Sequence, residues 1–166
     1  MSWNQIGSDI AGATAGDNFG TDVAINGDGT IAAFSAPLGD AGGTDSGEVR
    51  VFQYSDSSWS LLGSTIPGET AGDKLNKIKL NNAGTRLIVG EVLNGSGSGS
   101  TSQGSVKIYD YDSGDDSWGI VGSEINGATG SQFGSDVSIN SAGDRIVIGA
   151  RYWDDGGSNN TNKGYV

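Results

Sequence analysis

The stretch WNQIGSDI at residues 3–10 returns as WSLLGSTI at residues 59–66 and as WGIVGSEI at residues 118–125. The three copies start 56 and 59 residues apart and share the pattern Trp-x-x-x-Gly-Ser-x-Ile. The match continues in the segments VAIN (23–26), IKLN (78–81) and VSIN (137–140). Agreement in register at three places identifies a tandem repeat, with copies at about 3–58, 59–117 and 118–166 of a single domain.

Every copy predicts four β-strands joined by turns. The first strand is VAIN or its equivalent, and the Asn, Asp and Gly residues that follow are typical of a hairpin turn. The second strand is a nearly continuous apolar run, which indicates burial on both faces. The third alternates apolar and polar residues, and the fourth is the Trp segment itself. The predicted second strands are Ile31–Ser35, Leu87–Gly90 and Ile146–Gly149, and the predicted third strands are Glu48–Tyr54 and Ser105–Tyr111.

Four antiparallel strands in a repeat of roughly 57 residues are typical of a β-propeller blade. A β-solenoid is the rival, but its coils are usually much shorter, and a β-sandwich needs no homologous copies. No stretch shows the apolar periodicity of a helix. We therefore expect an all-β fold, a β-propeller built from four-stranded antiparallel blades, with three repeats per chain.

The composition disfavours several functional classes. Nine basic and twenty acidic side chains give a net charge of −11, which disfavours binding to nucleic acids or to anionic membranes. The chain has no Cys and no His, and so lacks the thiolate and imidazole groups that commonly bind metals or act as general bases. No apolar run reaches the length of a membrane span. We expect no cofactor and no metal site.

Short motifs inside the repeats resemble the FG-GAP repeat of integrin α-type propellers. Copy two departs from the pattern where the other copies keep it. The motifs are Phe19-Gly20 with Ser35-Ala36-Pro37 and Phe133-Gly134 with Gly149-Ala150-Arg151, and copy two has Leu75-Asn76 and Gly90-Glu91-Val92. The resemblance implies a propeller that serves adhesion or ligand binding, often outside the cell, although no signal-peptide hydrophobic region precedes the first repeat.

Several blades of that family hold calcium through a loop of the form Asp-x-Asp-x-Asp-Gly between the first two strands. The corresponding turns here are NGDG (26–29), NNAG (81–84) and NSAG (140–143). Calcium requires several oxygen ligands, commonly carboxylates from one loop, and each of these turns offers at most one carboxylate. We therefore carry over no calcium site from the resemblance.

Two sets of residues are candidates for a role. The repeated residues are expected to be structural, as packing side chains between blades and as backbone requirements: Trp3, Trp59, Trp118, Gly7, Gly63 and Gly122. The loops after the second strands differ most between copies, and variable loops on a repeated scaffold often carry function. The loop of copy three opens with Tyr152, Trp153, Asp154 and Asp155, whose rings could stack on a sugar while the carboxylates accept its hydroxyl hydrogen bonds. The alternative is that Trp153 packs on an adjacent blade.

The sequence favours a non-catalytic binding or adhesion module that presents loops to a carbohydrate or protein ligand. The alternative is a purely structural, self-assembling propeller. A glycosidase is disfavoured, because catalysis requires two carboxyl groups that converge across a cleft. The adjacent acids Asp115-Asp116 and Asp154-Asp155 instead follow one another in turns rich in Gly and Ser.

Three blades are too few for a closed propeller, which has four to eight. The chain starts with a fourth-type strand, Trp3–Ile10, and stops early in a third-type strand at Gly164–Val166. In a head-to-tail homodimer, Trp3–Ile10 of each chain would complete the last blade of the other and close a ring of six blades. The alternative is that the chain is a fragment of a longer propeller.

Overall fold

The structure is a computed structural model that describes residues 2–93, 102–153 and 163–166. Within these residues the regular elements are β-strands, and paired strands run antiparallel. The three sheets begin in successive repeat copies, and the first two sheets end in the Trp segment that opens the next copy; we call the sheets blades 1 to 3. Blade 1 contains β1 (Val23–Ile25), β2 (Ile31–Ala36), β3 (Glu48–Ser55), β4 (Ser58–Leu61) and β5 (Ile66–Pro67). Blade 2 contains β6 (Leu75–Leu80), β7 (Arg86–Glu91), β8 (Ser105–Asp112), β9 (Ser117–Ile120) and β10 (Ile125–Asn126), and blade 3 contains β11 (Phe133–Ile139) and β12 (Ile146–Ala150).

The predicted fourth strand is divided into two short strands. In blade 1 both β4 and β5 pair with β3, and in blade 2 both β9 and β10 pair with β8. The interruption falls at Gly63 and Gly122, whose φ angles of +73° and +75° lie outside the extended region. Residues 3–10, the equivalent segment of the first copy, form no strand in the described structure.

The core lies between the blades. We call the side of a blade that meets the preceding blade its leading face, and the opposite side its trailing face. The trailing face of blade 1 and the leading face of blade 2 form one buried cluster, which includes Val49, Val51, Ile78 and Leu87. A second cluster joins blades 2 and 3 and includes Ile88 and Val137. The second strand of blade 2, β7, is therefore sandwiched between the two neighbouring sheets, as its apolar composition indicates.

Blade 3 is the least complete of the three sheets. Strand β11 pairs with β12, and an isolated bridge joins Ala150 to Tyr165 at the position where the third strand of the other blades begins. The all-β prediction is confirmed, and the antiparallel sheets resemble propeller blades, but they do not close into a ring. None of the described residues forms a helix that is long and apolar enough to cross a membrane.

Candidate binding surfaces

A contact between Trp and Gly joins the outer parts of neighbouring blades. The Nε1–H group of Trp118 in blade 2 donates a hydrogen bond of 2.9 Å to the carbonyl oxygen of Leu62 in blade 1. Gly63 lies against the indole ring, and a Cβ atom at this position would come within 2.9 Å of Trp118 Cδ1. The positive φ and the close ring together explain why Gly occupies this position.

The same contact recurs one repeat earlier. Trp59 Nε1–H donates a hydrogen bond of 3.2 Å to the carbonyl oxygen of Ile6. Gly7 has a φ of +69°, and an added Cβ would lie 2.8 Å from Trp59 Cδ1. Residues 6–7 thus lie against blade 1 in the way that residues 62–63 lie against blade 2. We call this repeated arrangement the Trp–Gly contact.

The series of Trp–Gly contacts is open at both ends. Trp3 is 98% exposed, whereas Trp59 is partly buried and Trp118 is only 8% exposed. Gly122 has the same backbone conformation as Gly63, yet within the described residues no heavy atom outside its chain neighbours lies within 4 Å of an added Cβ. One end therefore has a free indole, and the other has a free glycine seat.

The turns after the first strands are held by a repeated Asn side chain. Asn26 Oδ1 accepts the N–H groups of Thr30 and Ile31, each at 2.9 Å. Asn81 and Asn140 make the equivalent pairs of hydrogen bonds in blades 2 and 3. The repetition of Asn at residues 26, 81 and 140 is visible in the sequence, but its capping role was missed because Asn is also common in turns for its backbone conformation.

These turns also connect the blades through the backbone. The N–H of Gly27 donates to the carbonyl oxygen of Asn82 at 2.9 Å, and the N–H of Asn82 donates to that of Ser141 at 3.1 Å. The three residues occupy the same repeat position, immediately after the capping Asn. The hydrogen bonds therefore form a chain that passes from blade to blade in one direction.

The leading face of blade 1 is apolar and uncovered. Val23 and Ile25 are 56% and 62% exposed, whereas the equivalent residues of blade 2, Ile78 and Leu80, are 0% and 9% exposed. Together with the segment that contains Ile6 and Ile10, this face encloses a concave space of about 510 Å³.

The trailing face of blade 3 is uncovered in the same way. Val147 and Val166 are 55% and 84% exposed. Their equivalents in blade 2, Ile88 and Val106, are completely buried. The chain thus presents two open faces of opposite kind, one leading and one trailing.

A buried ion pair lies between the third and second strands of blade 2. Lys107 Nζ is 2.9 Å from Oε1 of Glu91, and Glu69 and Glu124 lie within 3.2 and 3.6 Å of the same nitrogen. Burial raises the pKa of the Glu91 carboxyl, although the hydrogen bond from Lys107 opposes the shift. Burial opposes the charge of Lys107, but the hydrogen bond and charge of Glu91 outweigh it and raise the pKa of this amine. The Lys107 amine is therefore held in its charged form.

Blade 1 contains the same kind of pair, but there the acid and the basic residue both lie on the third strand, β3. Arg50 is equivalent to Lys107 and pairs with Glu48, which is opposite Ala36 in the register. In blade 2, Glu91 occupies the place of Ala36, and a Ser residue occupies that of Glu48. Where copy two departs from the motif, the acid has thus moved from the third strand to the second, and the basic residue still has a carboxylate partner. Among the residues that the structure describes, no group of three or more His, Cys, Asp or Glu is placed to hold a metal ion.

The predicted loop site is only partly within the described structure. Tyr152 is 41% exposed, and the guanidinium carbon of Arg151 lies 4.9 Å from the centre of its ring. Trp153 instead packs edge-on against Tyr165, with 5.0 Å between ring centres, and contacts the cluster between blades 2 and 3. Asp154 and Asp155 lie outside the described residues. One of the two aromatic rings is therefore available to a ligand.

Comparison with protein families decides the identity of the repeats. The model of the FG-GAP repeat matches residues 10–52 and 125–166, which together make up half of the chain. The chain belongs to the FG-GAP repeat family. Both matched segments begin at the end of a fourth-type segment and continue through the FG motif into the third strand, so the FG-GAP unit is offset from the blades. A search of curated proteins found no match.

A solved structure with a similar fold is a Bacteroides fragilis protein assigned as a 6-phosphogluconolactonase. The TM-score is 0.54 and the identity 18%, over 78% of this FG-GAP chain. The chain spans only 31% of the length of that protein. At this identity the likeness concerns the fold alone, so the assigned activity is not carried over.

Proposed function

We propose that this FG-GAP chain is a non-catalytic propeller module that binds other macromolecules through its two open blade faces. One observation supports this most strongly: apolar positions that are buried at the internal blade junctions are exposed on the leading face of blade 1 and the trailing face of blade 3. Contiguous exposed apolar surface is rare on monomeric proteins and marks interaction sites. The net charge of the whole chain, −11, favours its solubility despite these apolar faces.

A charge placed on the leading face tests this function. Ile25 is 62% exposed, so Ile25→Asp should leave the fold intact and abolish concentration-dependent association in sedimentation velocity. The matched control is Leu61→Asp. Leu61 and its equivalent Ile120 are 46% and 51% exposed in blades 1 and 2 alike, so this position takes no part in a blade junction. Equal association of Ile25→Asp and the wild type would contradict the proposed function.

A glycan ligand at the loop after β12 is a second candidate function. It is favoured by the exposed ring of Tyr152, beside a guanidinium group that can donate hydrogen bonds to hydroxyls. A glycan array should then show a specific signal that Tyr152→Ala removes. Leu61→Ala, which truncates an exposed apolar residue outside the blade junctions, should keep the signal. No bound glycan, or binding that survives Tyr152→Ala, would contradict this candidate.

A further inference from the structure

We propose that a second copy of this chain docks head to tail on the first, with Trp3 of one copy seated on Gly122 of the other. The proposal rests on the proposed function, because it names the occupant of the open faces. Among the described residues, no Trp ring lies against Gly122, and the ring of Trp3 is exposed to solvent. The two halves of a Trp–Gly contact are thus both present in one chain, at opposite ends of it.

The internal junctions show why the occupant is another copy. Each covered leading face is covered by the trailing face of a repeat of this same chain, and each covered trailing face by a leading face. The residues on the open faces are equivalent to residues that are buried at the internal junctions. They are Val23 and Ile25 on the leading face of blade 1 and Val147 on the trailing face of blade 3. A second copy is therefore the partner whose apolar pattern already fits both faces.

The repeat also predicts the hydrogen bonds of the new junction. Trp3 Nε1–H would donate to the carbonyl oxygen of Val121, because Val121 is equivalent to Leu62 and Ile6, which accept these bonds inside the chain. The N–H of Ser141 would donate to the carbonyl oxygen of Gly27 in the other copy, and so extend the chain of turn hydrogen bonds. The equivalent groups form the same two kinds of hydrogen bond inside the chain.

A glycine in the FG motif makes a third predicted contact. At the internal junction, a Cβ added to Gly134 would meet the carbonyl oxygen of Ser105 at 2.7 Å and Gly90 Cα at 3.2 Å. Around its equivalent in the first copy, Gly20, no atom of the described residues lies within 4 Å of an added Cβ. We expect Gly20 of one copy to approach Gly149 and Tyr165 of the other equally closely.

The last blade is completed over a short stretch. In blade 1, Ile66 and Pro67 pair with Val49 and Glu48. The equivalent residues at the new junction are Ile10 and Ala11 of one copy with Val166 and Tyr165 of the other. The pairing predicted for the whole segment Trp3–Ile10 is therefore limited to Ile10 and the residue that follows it. Trp3 is held instead by the Trp–Gly contact. Two such junctions related by a two-fold axis give a closed ring of about six blades.

Substitutions that are silent within one chain test the docking. Trp3→Ala removes an exposed indole, and Gly122→Asn places a side chain in the empty seat with a residue that tolerates positive φ. Each should raise the dissociation constant for self-association by about thirtyfold or more, as loss of a central Trp contact does. The matched control is Gly72→Asn. Gly72 also has a positive φ and no described atom within 4 Å of an added Cβ, but it lies in the connection between β5 and β6, at the internal junction of blades 1 and 2.

Mixing the two variants separates docking from misfolding. A dimer of one Trp3→Ala chain and one Gly122→Asn chain keeps one intact junction, so the mixture should associate more strongly than either variant alone. If the wild type associates and both variants associate equally well, the docking geometry is wrong but the open faces still bind. If the wild type stays monomeric at every concentration, both this proposal and self-association through the open faces fail. The glycan candidate would be untouched by either result.

Discussion

Truncation of the three repeated Trp residues should have graded effects on stability, although the three share one sequence motif. Trp118 is 8% exposed and donates a hydrogen bond to Leu62, Trp59 is partly buried and donates to Ile6, and Trp3 is 98% exposed. The free energy lost on truncation depends on the buried area and on the polar groups left without partners. The structure therefore orders the costs as Trp118, Trp59 and then Trp3.

Trp118→Ala should lower the free energy of unfolding by about 3–5 kcal/mol, the usual loss for a large aromatic side chain in a core. About 1–3 kcal/mol of this reflects the Leu62 carbonyl that loses its donor, so Trp118→Phe should cost about 1–3 kcal/mol. Trp59→Ala should cost about 2 kcal/mol, because its ring is only partly buried. Trp3→Ala should change the stability by less than about 0.5 kcal/mol.

The assay is urea denaturation followed by far-ultraviolet circular dichroism, since Trp fluorescence changes with the substitution itself. It must be run at a concentration at which the chain is monomeric, so that association does not add to the stability of the wild type. A Gly63→Ala variant completes a double-mutant cycle with Trp118→Ala, because the added Cβ would lie 2.9 Å from Trp118 Cδ1. Equal costs for Trp3→Ala and Trp118→Ala would refute the assignment of the Trp–Gly contact to the blade junctions.

Three further predictions concern charge and metal. Lys107→Met removes the ammonium group that pairs with the buried Glu91 and should cost about 3–5 kcal/mol, and the double variant Lys107→Met, Glu91→Met should recover most of this; recovery is absent if the pair is not the cause. The hydrogen bond from Arg86 lowers the pKa of Asp110, so the stabilisation is present above the ordinary Asp value of 3.8 and is lost as the pH falls below it; the gap between the wild type and Asp110→Asn should close in acid, and a gap independent of pH contradicts this. EDTA should leave the melting temperature unchanged, whereas a large decrease would reveal a metal site in the loops.

The sequence predicted the order of the strands well because the blades depend on local patterns. Apolar runs such as Ile31–Ser35 and the alternating Glu48–Tyr54 identify their strands within one copy, and repetition then confirms them. The interruption of the fourth strand at Gly63 was not predicted. A Gly residue is compatible with a positive φ both at a turn and within a strand, so the sequence alone does not locate the interruption. The structure locates it, because the segments on both sides of Gly63 pair with β3.

Features that depend on contacts between strands or blades could not be predicted from the sequence. The change of Ala36 to Glu91 between copies looks like a departure from the family motif until the register places the acid beside Lys107. For Trp153 the sequence left open a sugar contact or packing on an adjacent blade, and only the structure shows that its ring packs against Tyr165, twelve residues later. The repeated Trp residues were predicted to pack between blades and the repeated Gly residues to meet backbone requirements, but only the structure shows that each of these Trp residues contacts the Gly one repeat earlier.

The solution mass and shape of the wild-type chain test the central claim most directly. Small-angle X-ray scattering over a concentration series should give a mass that rises from 16.8 kDa and levels off at twice this value, with the compact distance distribution of a closed ring. A mass of 16.8 kDa at every concentration would contradict the claim that a second copy covers the open faces. A mass that grows without levelling off would show head-to-tail contacts that do not close, and would contradict the ring.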